Sequence, residues 1–316
     1  MRFKYLGKED RAMSGYKIGL ALGGGAARGL AHVGVLEELR DAGIEPVVIA
    51  GTSMGALVGG AYAAGRFDAL HAWVKTMDLR AFTSLLDVGL TRGGVIDGQG
   101  VLDWLNDMEM DPLIETLPIT YAAVATDLSD GSEVWLKEGS MAAAIRASIS
   151  VPGILRPVLN DRRWLVDGGL VNQVPVSTCR ALGADFVIAV NVNEGIIGQR
   201  RKKMHAGLGK EAEDQRAARM AHILDQVPTV LQGAAERILP SLMMGKPEAP
   251  AYFDVLVNTL NIMQDRITHS RLAGEPPTLL IAPDVRQSRC WISIVLRTQF
   301  QLAVMRQKRQ LVRSAT

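Results

Sequence analysis

Within its first 65 residues the chain runs twice from an apolar strand through a glycine-rich turn into a helix, and this alternation limits the possible folds most. YKIGLAL (16–22) reads as a buried strand that runs into GGGAARG (23–29). AARGLAHVGVLEELRDAG (26–43) has helical spacing, with Leu30, Val33, Leu36 and Leu39 on neighbouring turns and Gly43 placed as its C-cap. EPVVIAGT (45–52) is a second short apolar strand, and SMGALVGGAYAAG (53–65) a second helix. Strand, helix, strand, helix with tight connections predicts an α/β unit with a parallel sheet.

The later elements are more loosely spaced. Helices are expected at 66–77 and 99–109. PITYAAVATDL (118–128) reads as a strand with a hairpin to GSEVWLKEG, and SMAAAIRASIS (140–150) as a short helix stopped by VPG. RRWLVDGG (162–169) is a strand ending in glycines, and 175–193 a helix, Gly183 and a strongly apolar strand. From about 196 to 275 the chain is polar and charged, with helical stretches broken by Pro228, Pro240, Pro247 and Pro250. PPTLLIAPDV (276–285) reads as a strand that returns to the same sheet. The expected organisation is an α/β core over 16–195, a helical insertion over 196–275, and a returning strand with a basic segment over 276–316 packed on the same domain.

Composition removes several function classes. Of 316 residues, 48% are hydrophobic and 22% charged, as in ordinary globular proteins with a sizeable core. Aromatic residues make up only 5%, too few for the stacking platforms of single-strand binding, so no nucleic-acid partner is expected. Cys179 and Cys290 match neither a disulfide framework nor a zinc site. The N-terminus mixes charges without an apolar h-region, and no run of about 18 apolar residues occurs, so a cytoplasmic location is expected. The net charge of +2 hides an asymmetry. Seven basic and no acidic residues follow Asp284, leaving residues 1–284 at −5.

The loop over 23–29 invites a test against the dinucleotide fingerprint. Gly23 and Gly25 fit, but Arg28 stands at the third glycine position, and the second strand ends in AGTS rather than an acidic residue. The loop still offers unobstructed N–H groups at a helix N-terminus, which suits a phosphate or an oxyanion. The alternative is a tight turn that binds nothing.

GTSMG (51–55) between a strand and a helix is the nucleophile-elbow pattern, with Ser53 at its centre. Gly51 and Gly55 would avoid clashes between the entering strand and the leaving helix. The alternative is that Ser53 is a helix N-cap. Two adjacent parallel strands would place this turn and the glycine loop at one sheet edge, where α/β sites lie. A triad would need a histidine at such a turn. His32, His71, His222 and His269 lie in helical stretches, and His205 follows a basic run. A carboxylate does occupy a strand end: Asp167, followed by Gly168 and Gly169. Asp97 in VIDGQG reads better as a helix N-cap, and Asp127 in ATDL as a loop organiser.

GGGAARG, GTSMG and VDGG, in this order and setting, resemble the bacterial branch of the patatin-like phospholipase family. The resemblance covers roughly residues 16–195. ATDL and ASISVPGILRPV are also similar to that family, as is IMQDRITHSRLAGEPPTLLIAPDV (262–285). It implies a three-layer α/β/α fold with a mainly parallel sheet, and a Ser-Asp dyad without a catalytic histidine. It also implies hydrolysis of acyl esters, typically of lipids, with no metal or organic cofactor. By this resemblance Ser53 is the nucleophile and Asp167 its base. Gly23, Gly24, Gly25 and Gly29 frame the oxyanion loop, with Arg28 at its basic position, and Gly168 and Gly169 support the base. A non-lipid carboxylesterase or thioesterase, or an acyl- or anion-binding regulatory protein, would use the same residues. After Asp284 the chain departs from the family. WISIVLRTQFQLAVMRQKRQLVR (291–313) is apolar and then basic, fitting either a packed terminal helix or a helix lying on an anionic bilayer.

Overall fold

The structure, a computed structural model, describes residues 16–76, 97–194 and 252–283. The chain divides into two compact units, Met1–Glu194 with Met263–Thr316, and Gly195–Ile262. Most of the expected insertion at 196–275 and all of the tail at 285–316 lie outside the described residues, as do His205, His222 and Cys290.

Strands β1 (Ile18–Leu22), β2 (Val48–Thr52), β3 (Thr120–Asp127), β4 (Glu133–Leu136), β5 (Val158–Asn160), β6 (Arg163–Asp167), β7 (Phe186–Val190) and β8 (Leu279–Ile281) form one sheet. Its order is β5-β6-β3-β2-β1-β7-β8, with β4 paired to β3 off this path. The run β3-β2-β1-β7-β8 is parallel throughout. β4, β5 and β6 pair antiparallel. β8 lies within residues 276–285 and pairs with β7. β5, which pairs back on β6, has no counterpart in the sequence reading, because its three residues are too few for a strand period to show.

Helices α1 (Ala31–Asp41), α2 (Met54–Ala63), α3 (Phe67–Thr76), α4 (Gln99–Asp107), α5 (Met141–Ser148), α6 (Val176–Ala181) and α7 (Tyr252–Gly274) complete the described elements, with short 3-10 turns. The alternation of side chains along β1, β2 and β7 builds two different faces. Leu20, Leu22, Ile49, Phe186, Ile188 and Val190 join the larger core with α1 to α5. Ala21, Val48, Ala50, Val187 and Ala189 join a thinner core with Val176 and Cys179 of α6, against which Leu272 of α7 packs. Small residues let α6 and the turn after it approach the sheet closely: a Cβ on Gly19 would lie 3.3 Å from the Cys179 Cβ and 2.5 Å from the Ala184 Cβ. The architecture is a three-layer α/β/α sandwich.

The predicted helix over 26–43 starts as a 3-10 turn, Ala26–Leu30, before α1. Asp97 does not cap α4. Gly98, at φ 83°, precedes that helix, while the exposed Asp97 carboxylate lies 3.6 Å from Arg156.

Candidate active site

β3 is the strand that assembles the site. Thr52, the last residue of β2, pairs with Val124, and Asp167, the last residue of β6, pairs with the next residue, Ala125. β4 occupies the other edge of β3 at both positions. The parallel β2 and the antiparallel β6 therefore meet end to end along one edge of β3. Ser53 leaves one strand end and Asp167 closes the other.

Ser53 has φ 54° and ψ −122°, a conformation a non-glycine residue holds only when its surroundings impose it. It precedes α2 without capping it through its side chain, so the N-cap alternative is not realised. Its backbone N–H donates to Ser148 Oγ at 2.8 Å, and that hydroxyl donates onward to the Val124 carbonyl at 2.6 Å. The Ser53 side chain lies close enough to the Asp167 carboxylate to pull its pKa down. Gly51 and Gly55 permit the turn. A Cβ on Gly51 would lie 2.4 Å from the Gly55 carbonyl oxygen, and one on Gly55 would lie 2.0 Å from the Leu22 carbonyl oxygen.

Asp167 is 1% exposed. Burial pushes its carboxyl up to about 6, against the opposing pull of the nearby Ser53 side chain and of the Gly169 N–H. The Gly169 N–H reaches Asp167 Oδ1 at 2.7 Å. The Asp167 backbone is held as well: its N–H donates to the Ser150 carbonyl at 2.9 Å, and its carbonyl accepts from Thr126 Oγ1 at 2.9 Å. Gly168 allows the following turn to lie on β3, since a Cβ there would be 2.2 Å from the Val124 carbonyl oxygen.

The glycine loop adjoins both turns. A Cβ on Gly29 would meet the Met54 Cβ at 2.3 Å. The sequence suggests that all three consecutive glycines leave free N–H groups, and the structure corrects this. Gly23 N–H donates to the Val190 carbonyl and Gly24 N–H to the Gln173 carbonyl, each at 3.0 Å. Among the described hydrogen bonds, Gly25 N–H donates to none. Arg28 is half-buried, and its Nε donates to Asn193 Oδ1 at 3.0 Å.

The histidines have other roles. His32 is fully buried and its Nε2 lies 2.6 Å from the Gly23 carbonyl oxygen, which makes Nε2 the protonated nitrogen. Burial pushes its pKa down to about 4, against the bond to Gly23. His71 stacks on Phe67, and His269 is exposed on α7. Asp127 organises its loop, accepting from Ser129 N–H at 2.9 Å and Ser129 Oγ at 2.6 Å.

Sequence reasoning missed Ser148, Ser150, Thr126, Gln173 and Asn193. Their hydrogen bonds and contacts at the site span up to 169 positions of chain. Thr126, Ser148 and Ser150 lie in the family-like stretches ATDL and ASISVPGILRPV, but nothing local to Gln173 or Asn193 marks them. Gln173 is 2% exposed, and its side chain lies where a Cβ on Gly24 or Gly169 would stand. Among the described residues no cluster of three or more His, Cys, Asp or Glu side chains could hold a metal ion, and no helix is long and apolar enough to cross a membrane.

The family model described as patatin-like phospholipase matches residues 20–180. An uncharacterised NTE family protein of Mycobacterium tuberculosis is 35% identical over 314 residues, covering 89% of this chain and 86% of that protein. A patatin-like phospholipase domain-containing protein of Caenorhabditis elegans is 39% identical over 189 residues, covering 58% of this chain but 14% of that protein. Among solved structures, VipD from Legionella pneumophila aligns with a TM-score of 0.44 and 14% identity, over 65% of this chain and 56% of that one.

Proposed function

The chain belongs to the patatin-like phospholipase family, and on that footing we propose that it hydrolyses lipid acyl esters through Ser53 and Asp167. One observation carries the reading: the ends of β2 and β6 meet along β3, so that the strained Ser53 has a buried carboxylate rather than a histidine beside it.

In acylation the Asp167 carboxylate takes the Ser53 Oγ proton as Oγ bonds to the ester carbonyl carbon. The carbonyl oxygen becomes an oxyanion, held by the glycine loop. Collapse breaks the bond to the alcohol, which leaves with the proton from Asp167. Water then attacks the acyl-enzyme and gives a proton to Asp167. The second tetrahedral species collapses, the fatty acid departs, and Ser53 recovers its proton.

A carboxylate at its ordinary pKa of about 3.9 is a weak base toward a serine hydroxyl. A value near 6 brings Asp167 closer to its task while leaving it ionised at neutral pH. The remaining demand falls on the oxyanion donors, each typically worth about 3 kcal/mol.

A fluorophosphonate probe tests the reading directly. The wild-type chain should be labelled at Ser53 and should release fatty acid from phospholipid vesicles. Ser53→Ala should take no label and release none. Labelling at another residue, or undiminished release by Ser53→Ala, would overturn the assignment. Turnover of short chromogenic esters without any from vesicles would place the substrate outside lipids.

A further inference from the structure

Gly25 N–H is the one amide of the glycine triplet without a partner among the described hydrogen bonds, and its direction is imposed from outside the loop. A trans peptide is planar, so its C=O and N–H point in opposite directions. Gly25 N–H belongs to the same peptide unit as the Gly24 carbonyl. Asn193 Nδ2 donates to that carbonyl at 3.0 Å. Holding the carbonyl on one side turns Gly25 N–H to the other.

Asn193 is itself held at both ends. Its Oδ1 accepts from Arg28 Nε at 3.0 Å, and its backbone N–H donates to Asn191 Oδ1 at 3.0 Å. The two side-chain partners admit only one orientation of the carboxamide, because a carbonyl only accepts and a guanidinium only donates. Asn193 reaches the loop because β7 runs parallel to β1, with Leu22 paired to Val190. The chain leaving β7 therefore emerges beside the chain leaving β1. The approach is close: a Cβ on Gly25 would stand 2.4 Å from Val192 Cγ2 and 3.3 Å from Asn193 Oδ1.

We propose that Asn193 is a positioning residue for acyl transfer: through the Gly24 carbonyl it aims Gly25 N–H at the oxyanion, and Arg28 serves by fixing Asn193. This rests on the acyl-hydrolase reading above. It gives Arg28, at the loop's basic position, a supporting part, and it brings the asparagine after β7 into the site's machinery.

Asn193→Asp is the discriminating variant. It keeps the shape and an oxygen for Arg28 Nε, but places an acceptor against the Gly24 carbonyl. The acylation rate should fall by about 10²-fold, the effect of losing one oxyanion donor, with KM changed less than about twofold. Affinity for a trifluoromethyl ketone, which Ser53 converts to a tetrahedral alkoxide, should fall by a similar factor. Affinity for the matching methyl ketone, which stays neutral and planar, should hold. Arg28→Met should lower the rate less than Asn193→Asp does. If Asn193→Asp does not fold by circular dichroism, Asn193→Ser is measured in its place. Wild-type acylation and trifluoromethyl ketone affinity in a folded Asn193 variant would overturn the inference, as would a change in KM alone. With Ser53→Ala inactive, such a result refutes only the role of Asn193. An active Ser53→Ala refutes the acyl-hydrolase reading itself.

Discussion

The glycine loop and the serine elbow look alike in sequence, yet their glycines answer to different neighbours. Both are strand-to-helix turns at the ends of adjacent parallel strands. In the elbow, a Cβ on Gly51 or Gly55 would strike main chain: the Gly55 carbonyl, the Ala56 backbone or the Leu22 carbonyl. In the loop, a Cβ on Gly24 or Gly25 would first strike side chains, those of Gln173 and Val192. Main chain tied into a helix or a parallel sheet has nowhere to move, whereas a side chain has other rotamers or can be shortened. The elbow is therefore closed to substitution, while Gly24 and Gly25 depend on what surrounds them.

The largest expected effect is in the elbow. Gly55→Ala places a methyl 2.0 Å from the Leu22 carbonyl oxygen, and no trimming of a neighbour relieves that contact. The variant should fail to give soluble, cooperatively melting protein. A folded Gly55→Ala with normal melting would break the contrast.

Next comes the chemistry that the elbow presents. Asp167→Asn should cut single-turnover acylation of a chromogenic ester by about 10⁴-fold, as far as Ser53→Ala does, because members of a cooperating unit are not additive. In the wild type, kcat/KM should rise with pH through a midpoint near 6 as Asp167 ionises. Wild-type acylation by Asp167→Asn would show that another group takes the proton.

In the loop, Gly24→Ala meets the Gln173 carboxamide at 2.9 to 3.2 Å. Overpacking of this kind typically costs about 1–3 kcal/mol. In a Gln173→Ala background most of that loss should disappear from urea unfolding curves. Equal losses in both backgrounds would place the strain in the loop main chain and erase the distinction. Gly25→Ala should cost more than Gly24→Ala, since the Val192 methyl lies only 2.4 Å from the added Cβ.

Asp167 also carries a stability cost that follows pH. Its folded pKa lies above the unfolded value, so between about pH 4 and 6 the unfolded chain gives up the proton first. Stability falls as pH rises through that window, by about 3 kcal/mol for a rise from 3.8 to about 6. Asp167→Asn should therefore melt several degrees higher than wild type at pH 8 and close to it at pH 4. An unchanged melting temperature at pH 8 would mean that the ionised carboxylate costs little in place.

The smallest effects should come from the histidines away from the dyad. His71→Gln and His269→Gln should stay within about twofold of wild-type turnover, since neither ring reaches the strand ends where Ser53 and Asp167 meet. A loss matching that of Ser53→Ala in either folded variant would reopen the case for a triad.

The order of elements around the site was legible because its signals are local. Apolar runs ending in glycine mark β1, β2 and β6, and the elbow glycines follow from the sharpness of one turn. The length of the helix after the glycine loop was read well, but not its 3-10 start, because both geometries place apolar side chains at similar spacings. The cap assigned to Asp97 failed because Asp-Gly suits both a cap and a turn, and Gly98 at φ 83° takes the turn.

The sequence by itself determined the alternation of strand and helix, the two glycine turns and the presence of a serine and an aspartate at strand ends. Each of these is written within a few consecutive residues. Only the tertiary structure decided that Asp167 and Ser53 meet, because β6 pairs with β3 one residue beyond the point where β2 stops. It also decided which amide of the glycine triplet lacks a partner among the described residues, because the partners of Gly23, Gly24 and Arg28 come from Val190, Gln173 and Asn193, more than 140 residues away. Backbone hydrogen bonds to distant strands leave no local pattern of residue types, so that choice is made by register and packing alone.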